Sequence, residues 1–383
     1  MKSTSKLIII FILLSQPAYA DDLDEGLKAL KRGDYKTAFK KWKPMAVNGN
    51  STAQFNLGLM YDRGDGVRQN LSKAVKWYRL AAKQKNVGAQ FNLGLMYYNG
   101  EGVDKNYKKA LKWFLYAASQ GNIGAQYNLG WMFDKGEGTD PNYKRAIKWY
   151  RVAAKNGNSM AQYNLGLIYD KGETVSRDFD KAFKWYLKAG NLGNVEAQLK
   201  LAEIYEQGND DVGKDIQKAI KWYISSAKQG KVQAQLWLAK IYEKGFLVEK
   251  SFDYAFKWYK AAAEEGSLEA QSRLGFYYMR GKGVKKNFMK AIYWFQKAAK
   301  SGDAKAQYNL GLLYEKGDGV SKNLRKAVKW YHRAAEQDHQ KAQANLGWMY
   351  VNGMGVKEDF DKAVKWYKRS ETAERRSDKK HFN

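Results

Sequence analysis

The side chains most able to do chemistry are scarce in this chain. Its 383 residues include three histidines, His332, His339 and His381, and no cysteine. Without a thiol there can be no disulfide framework, thiolate nucleophile, iron–sulfur cluster or lipid-modified N-terminal cysteine. His332 and His339 stand seven apart, on or just past a helix, where a solvent-side placement is expected, and no second ligand pair at zinc spacing accompanies them. The Gly-x-Gly turns, such as Gly64-Asp65-Gly66 and Gly100-Glu101-Gly102, fail as nucleotide loops. They follow a helix instead of a strand, lack a third glycine and have no Lys-Ser/Thr pair at P-loop spacing. Asp62 and Asp65 are too few for a calcium loop. Carboxylates are plentiful, yet none stands in a repeating or isolated apolar arrangement. No catalytic, cofactor-binding or metal-binding residue is predicted, and the chemistry that remains is binding.

What recurs at fixed spacing is charge and amide. Lys73, Lys109, Arg145, Lys181, Lys218, Lys290, Lys326 and Lys362 stand four residues before a tryptophan. Lys76, Lys112, Lys148, Lys184, Lys221, Lys257, Lys329 and Lys365 stand immediately before it. Three apart, the two columns share one helix face opposite the apolar one. Stacked, they make a basic strip broken at Tyr254 and Tyr293. Such a strip is either a solvated face that keeps an apolar-cored rod soluble or a docking strip for anionic lipid headgroups, acidic polysaccharide or an acidic protein. The formal charge of +28 suits both. Nucleic acid is not expected, since no base-reading motif is visible.

A column of amides, Asn56, Asn92, Asn128, Asn164, Asn309 and Asn345, stands ready either to clamp an extended peptide backbone or to bond neighbouring units of the chain. In the middle of the chain it gives way to Lys200, Trp237 and Arg273, while Glu203 and Lys240 replace apolar residues. This departure marks either a partner-specific site or drift.

The elements that must position these residues are short helices. An Ala-Gln pair recurs at Ala53, Ala89, Ala125, Ala161, Ala197, Ala234, Ala270, Ala306 and Ala342, a period of 36 with one step of 37. A fixed period in this range marks stacked repeats. The first helix of each repeat (helix A) ends at a glycine, from Gly64 to Gly353, because glycine enters the left-handed region without strain. The second (helix B) opens at Asn70, Asn106, Asn142, Asp178, Asp215, Ser251, Asn287, Asn323 or Asp359, residues that accept from the free N–H groups of a first turn. Apolar residues at i, i+3, i+4 and i+7, as in Ala74, Trp77, Tyr78 and Ala81, give helix B one buried face. Ten tryptophans, from Trp42 and Trp77 to Trp366, read as a core column between repeats. The fold class predicted is all-α, a right-handed superhelical α/α solenoid of about ten helix pairs.

Residues 1–20 read as a signal peptide: Lys2 and Lys6, an apolar run from Leu7 to Leu14, and Ala18-Tyr19-Ala20 before the cut. Residues 21–50 read as a divergent capping pair, 51–372 as nine repeats, and 373–383 as a basic tail. No segment is apolar enough to span a bilayer, and an exported monomer, periplasmic or secreted, is expected.

The phrase A-x-x-x-L-G-x-x-Y-x-x-G-x-G-V, followed by K-A-x-x-W-Y-x-x-A-A, resembles the Sel-one-like repeat, a relative of the tetratricopeptide repeat. The resemblance covers about Ser51 to Thr372. It implies an α/α superhelix acting as an adaptor, with helix A lining the concave surface and a protein or peptide bound there. Members of this build occur in bacterial envelopes, where they regulate sensors or cell-wall enzymes, and among exported proteins of intracellular pathogens, which assist host entry and vesicle traffic. The reading taken is a non-enzymatic interaction scaffold of the second kind. A cell-wall or β-lactam-active enzyme is the contrasting class; the cysteine pairs of the β-lactam-binding members are missing here.

Overall fold

The computed structural model describes residues 16–209 and 211–381, with side chains for 22–209 and 211–372. The expected signal peptide lies outside the described residues up to position 15; its last five residues fall in the first helix. Among the described residues there are twenty helices and no strand.

They divide into two compact units, the first ending at Asn194 and the second starting at Val195. The first holds α1 (Gln16–Lys31), α2 (Tyr35–Val47), α3 (Ser51–Arg63), α4 (Leu71–Lys83), α5 (Val87–Asn99), α6 (Tyr107–Ser119), α7 (Ile123–Lys135), α8 (Tyr143–Lys155), α9 (Ser159–Lys171) and α10 (Phe179–Asn191). The second holds α11 (Val195–Gln207), α12 (Ile216–Lys228), α13 (Val232–Lys244), α14 (Phe252–Glu264), α15 (Leu268–Arg280), α16 (Phe288–Lys300), α17 (Ala304–Lys316), α18 (Leu324–Glu336), α19 (Gln340–Val351) and α20 (Phe360–His381). Inside each unit every helix packs chiefly on the ones before and after it, the arrangement of an α/α solenoid. The stretch read as a basic tail continues α20 as helix to His381.

Local chemistry sets the helix ends. All nine helix-B openers accept from the backbone N–H three residues on, as Asn70 does from Lys73 at 2.9 Å and Asp359 from Lys362 at 2.9 Å. Helix A is capped in the same way by Asn50, Asn86, Asn122, Asn158, Ser267, Asp303 and His339. The glycine stops adopt the left-handed conformation, with φ of +84° at Gly64 and +80° at Gly317. In the last repeat Asn352 closes the helix and Gly353 follows it at φ +63°.

The core differs from the expected tryptophan column. In eight repeats its central side chain is the residue after the tryptophan: Tyr78, Phe114, Tyr150, Tyr186, Tyr223, Tyr259, Phe295 and Tyr331 are all buried; in the last repeat Trp366 is buried and Tyr367 half-buried. Trp77, Trp113, Trp149, Trp185, Trp222 and Trp330 are only half-buried, while Trp258 and Trp294, like Trp366, are buried as expected. The buried ring lies against a bare stretch of helix A. A Cβ at Gly58, Gly94, Gly130, Gly166, Gly275 or Gly311 would come within 2.4 to 2.7 Å of that ring, too close for any real contact. Trp42 stands 36 residues before Tyr78, so it belongs to this ring column; it is 1% exposed and seated on Gly26.

A second buried column joins successive repeats. Within each unit the glutamine of the Ala-Gln pair donates to a carbonyl in the last turn of the preceding helix B, as Gln54 does to Ala46 at 3.0 Å and Gln307 to Ala299 at 3.1 Å. It accepts in turn from the residue capping its own repeat's helix B, Gln84 to Gln54 at 2.8 Å and Gln337 to Gln307 at 2.8 Å. At Gln162 and Gln235 the capping residues are Leu192 and Glu265, neither able to donate, and the Oε1 atoms are buried without a partner.

Replacing Gly166 with valine should drive a branched side chain into the Tyr186 ring and destabilise the chain by about 2 kcal/mol, read as a lower urea midpoint by circular dichroism. Gly166→Ala should lose less, because Ala202 and Ala239 hold the same place naturally.

Candidate functional site

Burying a tyrosine ring obliges its hydroxyl to find a partner. The last turn of helix A supplies a carboxylate. Tyr78 donates to Asp62 at 3.0 Å, Tyr186 to Asp170 at 3.2 Å, Tyr223 to Glu206 at 2.6 Å, Tyr259 to Glu243 at 2.9 Å and Tyr331 to Glu315 at 2.5 Å. Burial first, and then the neighbouring carboxylate, raises the pKa of these hydroxyls, so they remain protonated donors. Where the ring is phenylalanine the carboxylate is gone: Tyr98 stands opposite Phe114 and Met279 opposite Phe295. Tyr98 instead donates to Glu137 at 2.7 Å, and burial with that carboxylate pushes its pKa up to about 12.

The amide column comes to the edge of these pairs from the next repeat. Asn92 lies beside the Tyr78 hydroxyl, Asn164 beside Tyr127 and Tyr150, and Asn345 beside Tyr308 and Tyr331. Asn128 is half-buried, Asn309 donates to the Lys305 carbonyl at 2.9 Å, and Nδ2 of Asn56 is buried without a partner. The substituted positions reach the same carboxylates with longer side chains. Trp237 stacks on Tyr223 with ring centres 3.9 Å apart and donates its indole N–H to Glu206 at 2.8 Å. Arg273 forks onto Glu243 at 3.1 and 2.5 Å. Burial opposes ionisation of Glu243, but Arg273, Tyr259 and Tyr277 outweigh it and hold the carboxyl below its usual range. Lys200 is half-buried, and Lys240 pairs with Glu269 at 2.8 Å.

Of these residues the structure brings Lys240, Arg273 and Asn309 into one groove of about 1000 Å³, running across α13, α15, α17 and α19 of the second unit. Lys244, Lys305, Lys341, Tyr308 and His339 line it too. Its carboxylates are engaged: Glu243 by Arg273, Glu269 by Lys240, and Asp303 by Ser272 at 2.9 Å and by the N–H of Ala306. Lys244, Lys305 and Lys341 form no ion pair among the described residues, which leaves the groove cationic. His339 stands in the groove, not on the solvent side expected for it. It stacks on Tyr308 at 4.7 Å, and its Nδ1 accepts from the Ala342 N–H at 3.2 Å, capping α19. Its place in the repeat is held by Asn, Asp or Ser caps in most other repeats, and that register was the one signal of its role.

The two basic columns have different surroundings. All eight members of the first lie over a ring of helix A, from Lys73 over Tyr61 at 5.3 Å and Arg145 over Phe133 at 5.5 Å to Lys362 over Tyr350 at 5.6 Å. Where Tyr254 interrupts the column, its ring stacks on Tyr242 instead. Lys181, Lys218 and Lys362 also pair with their own helix caps. The second column, Lys76, Lys112, Lys148, Lys184, Lys221, Lys257, Lys329 and Lys365, is exposed and forms no ion pair among the described residues.

A family model described as the Sel1 repeat matches nine consecutive segments, residues 51–86, 87–122, 123–158, 159–194, 195–231, 232–267, 268–303, 304–339 and 340–372. The chain belongs to the Sel1 repeat family. A solved structure described as a protective antigen present in uropathogenic Escherichia coli strains, displaying an SLR fold, is 34% identical. It covers 96% of this chain and 81% of its own, with a TM-score of 0.62. A Sel1 repeat protein from Oxalobacter formigenes is 37% identical, covering 63% of this chain and 96% of its own, with a TM-score of 0.57. Among curated proteins, DAP3-binding cell death enhancer 1 of Rattus norvegicus is 44% identical over 50 residues, 13% of this chain. The chain spans about a tenth of the length of that relative and of its Mus musculus counterpart. Sel1 repeat proteins are protein–protein interaction scaffolds, and protein partners are the class this architecture serves.

Two outcomes follow for this Sel1 array. Lys326→Gln should lower stability by about 0.5 to 1 kcal/mol through the lost contact with Tyr314, whereas Lys329→Gln should leave the denaturation midpoint unchanged. Burial lowers the pKa of His339, so the fold favours the neutral ring while the unfolded chain takes up a proton near pH 6.5. Its contribution is intact above that pH and is lost as pH falls through it. Melting between pH 7 and pH 5 should therefore show a drop that His339→Asn flattens.

Proposed function

We propose that this chain is an exported, non-enzymatic scaffold that holds a protein or peptide in the groove across α13, α15, α17 and α19, acting for a bacterium in host-cell entry or vesicle traffic. The observation that carries the reading is the groove. Four consecutive helices A contribute to it, and Lys244, Lys305 and Lys341 leave it with three cations free to meet carboxylates. An extended segment bearing acidic side chains matches that length and charge. Export rests on the basic start, apolar run and Ala-Tyr-Ala site at the N-terminus. The host-facing role is supported by likeness to a protein described as a protective antigen of uropathogenic strains.

The exposed second lysine column supports a further contact, with an anionic lipid surface. Retention on vesicles containing anionic lipid should fall steeply between low and physiological salt and fall further in a Lys76→Gln, Lys148→Gln, Lys184→Gln variant.

A photoreactive residue at Asn309 should trap the partner. Lys244→Glu, Lys305→Glu and Lys341→Glu together should abolish that crosslink without changing helicity; an undiminished crosslink would overturn the groove. Expressed with its leader in a bacterial host, the chain recovered from outside the cytoplasm should begin at Asp21. Peptidoglycan fragments and β-lactams should emerge from incubation unaltered.

A further inference from the structure

The chain shows what its carboxylate and tyrosine pairs can hold. In the second unit Glu243, at the end of α13, receives the guanidinium of Arg273 from α15. Tyr259 and Tyr277 donate to the same carboxylate at 2.9 and 3.0 Å, and the guanidinium lies 5.4 Å from the centre of the Phe276 ring. One repeat earlier Glu206 receives the indole N–H of Trp237. In both places a long side chain of the next repeat closes the space beside the pair.

Three repeats before Glu243 the same place is open. Asp134 stands for Glu243, Tyr150 for Tyr259, and the short Asn164 for Arg273. What remains is a cavity of about 190 Å³ in the first unit, walled by Trp131, Tyr143, Leu167 and Ile168. Tyr150 is 0% exposed and its hydroxyl makes no hydrogen bond; Asn164 lies near enough to act on its titration but outside hydrogen-bond geometry. Every other tyrosine that faces an acidic residue from this column, Tyr78, Tyr186, Tyr223, Tyr259 and Tyr331, has its carboxylate bond. Asp134 instead turns to its neighbour Lys135 at 3.2 Å, and Lys135 lies over Trp131. A buried hydroxyl left unpaired is unfavourable, and a bound donor would offset part of that penalty.

We infer that this cavity is a socket for an arginine side chain of a protein or peptide bound to the first unit. The guanidinium donates to the Asp134 carboxylate and to the Tyr150 hydroxyl oxygen and lies against Trp131 and Tyr143, as Arg273 lies against Phe276. A planar, weakly hydrated fork suits a carboxylate beside aromatic walls better than a lysine ammonium does. The inference rests on the scaffold reading but uses a different unit from the groove, so the two are separable.

The test is calorimetric titration of the full mature chain with a Gly/Ser peptide, blocked at both ends, that carries one central arginine. The peptide should bind, and its citrulline counterpart, isosteric but uncharged, should bind about tenfold more weakly or worse, the weight of one charge-assisted hydrogen bond. Asp134→Asn should produce a similar loss, and Tyr150→Phe a smaller one without unfolding, since Phe114 and Phe295 occupy that place naturally. Asn164→Arg should fill the socket from within, as Arg273 does, and abolish binding while helicity and the melting temperature hold or rise. The Asn309 crosslink should survive Asn164→Arg. No binding by the wild type, equal binding of arginine and citrulline peptides, or unchanged binding by Asn164→Arg would each overturn the assignment.

Discussion

An aromatic ring pressed on a backbone without side chains governs each helix pair. Helix A can approach helix B this closely because glycine or alanine stands where the ring arrives, and alanines on helix B keep its own backbone near. Aromatic burial of this kind carries both apolar area and close packing, and each ring is surrounded by the small residues that make the fit. The buried glutamines then carry the geometry from one repeat to the next. A backbone carbonyl in the preceding helix B and a capping amide in the following one are tied to the same side chain, so neighbouring pairs stack in one register.

The ring also creates the chemistry that the surface presents. Tyrosine brings a hydroxyl into the core, and a buried hydroxyl requires an acceptor, so a carboxylate stands opposite it in the last turn of helix A. Phenylalanine brings none, and opposite Phe114 and Phe295 the carboxylate is absent. Once a carboxylate sits at the seam between repeats, the next helix A decides its use: asparagine leaves its outer side open, while Trp237 and Arg273 cover it. A packing requirement thereby produces a row of graded polar places from which a scaffold can build recognition.

The basic residues divide along a similar line. A lysine four before the tryptophan bends back over a helix-A ring and fastens the two helices of its own repeat. One immediately before the tryptophan reaches no ring of helix A and stays exposed to solvent. The high positive charge is thus part adhesive and part free surface, and only the free part can meet an anionic partner without weakening the fold.

The repeat, the two helices in each copy and the caps that open helix B could all be read from the sequence alone, because capping and amphipathic spacing act within three or four residues. The tertiary structure decided which aromatic of each Trp-Tyr pair forms the core, that Trp42 keeps the register of Tyr78, that His339 caps a helix inside a groove, and which cations are engaged. It also gathered Lys240, Arg273 and Asn309 into one groove while turning Trp237 to a neighbouring carboxylate. Those outcomes depend on contacts between residues 12 to 31 positions apart. The rotation of one helix against another settles them, and a one-residue change of phase exchanges a buried ring for a half-buried one while leaving every local pattern intact.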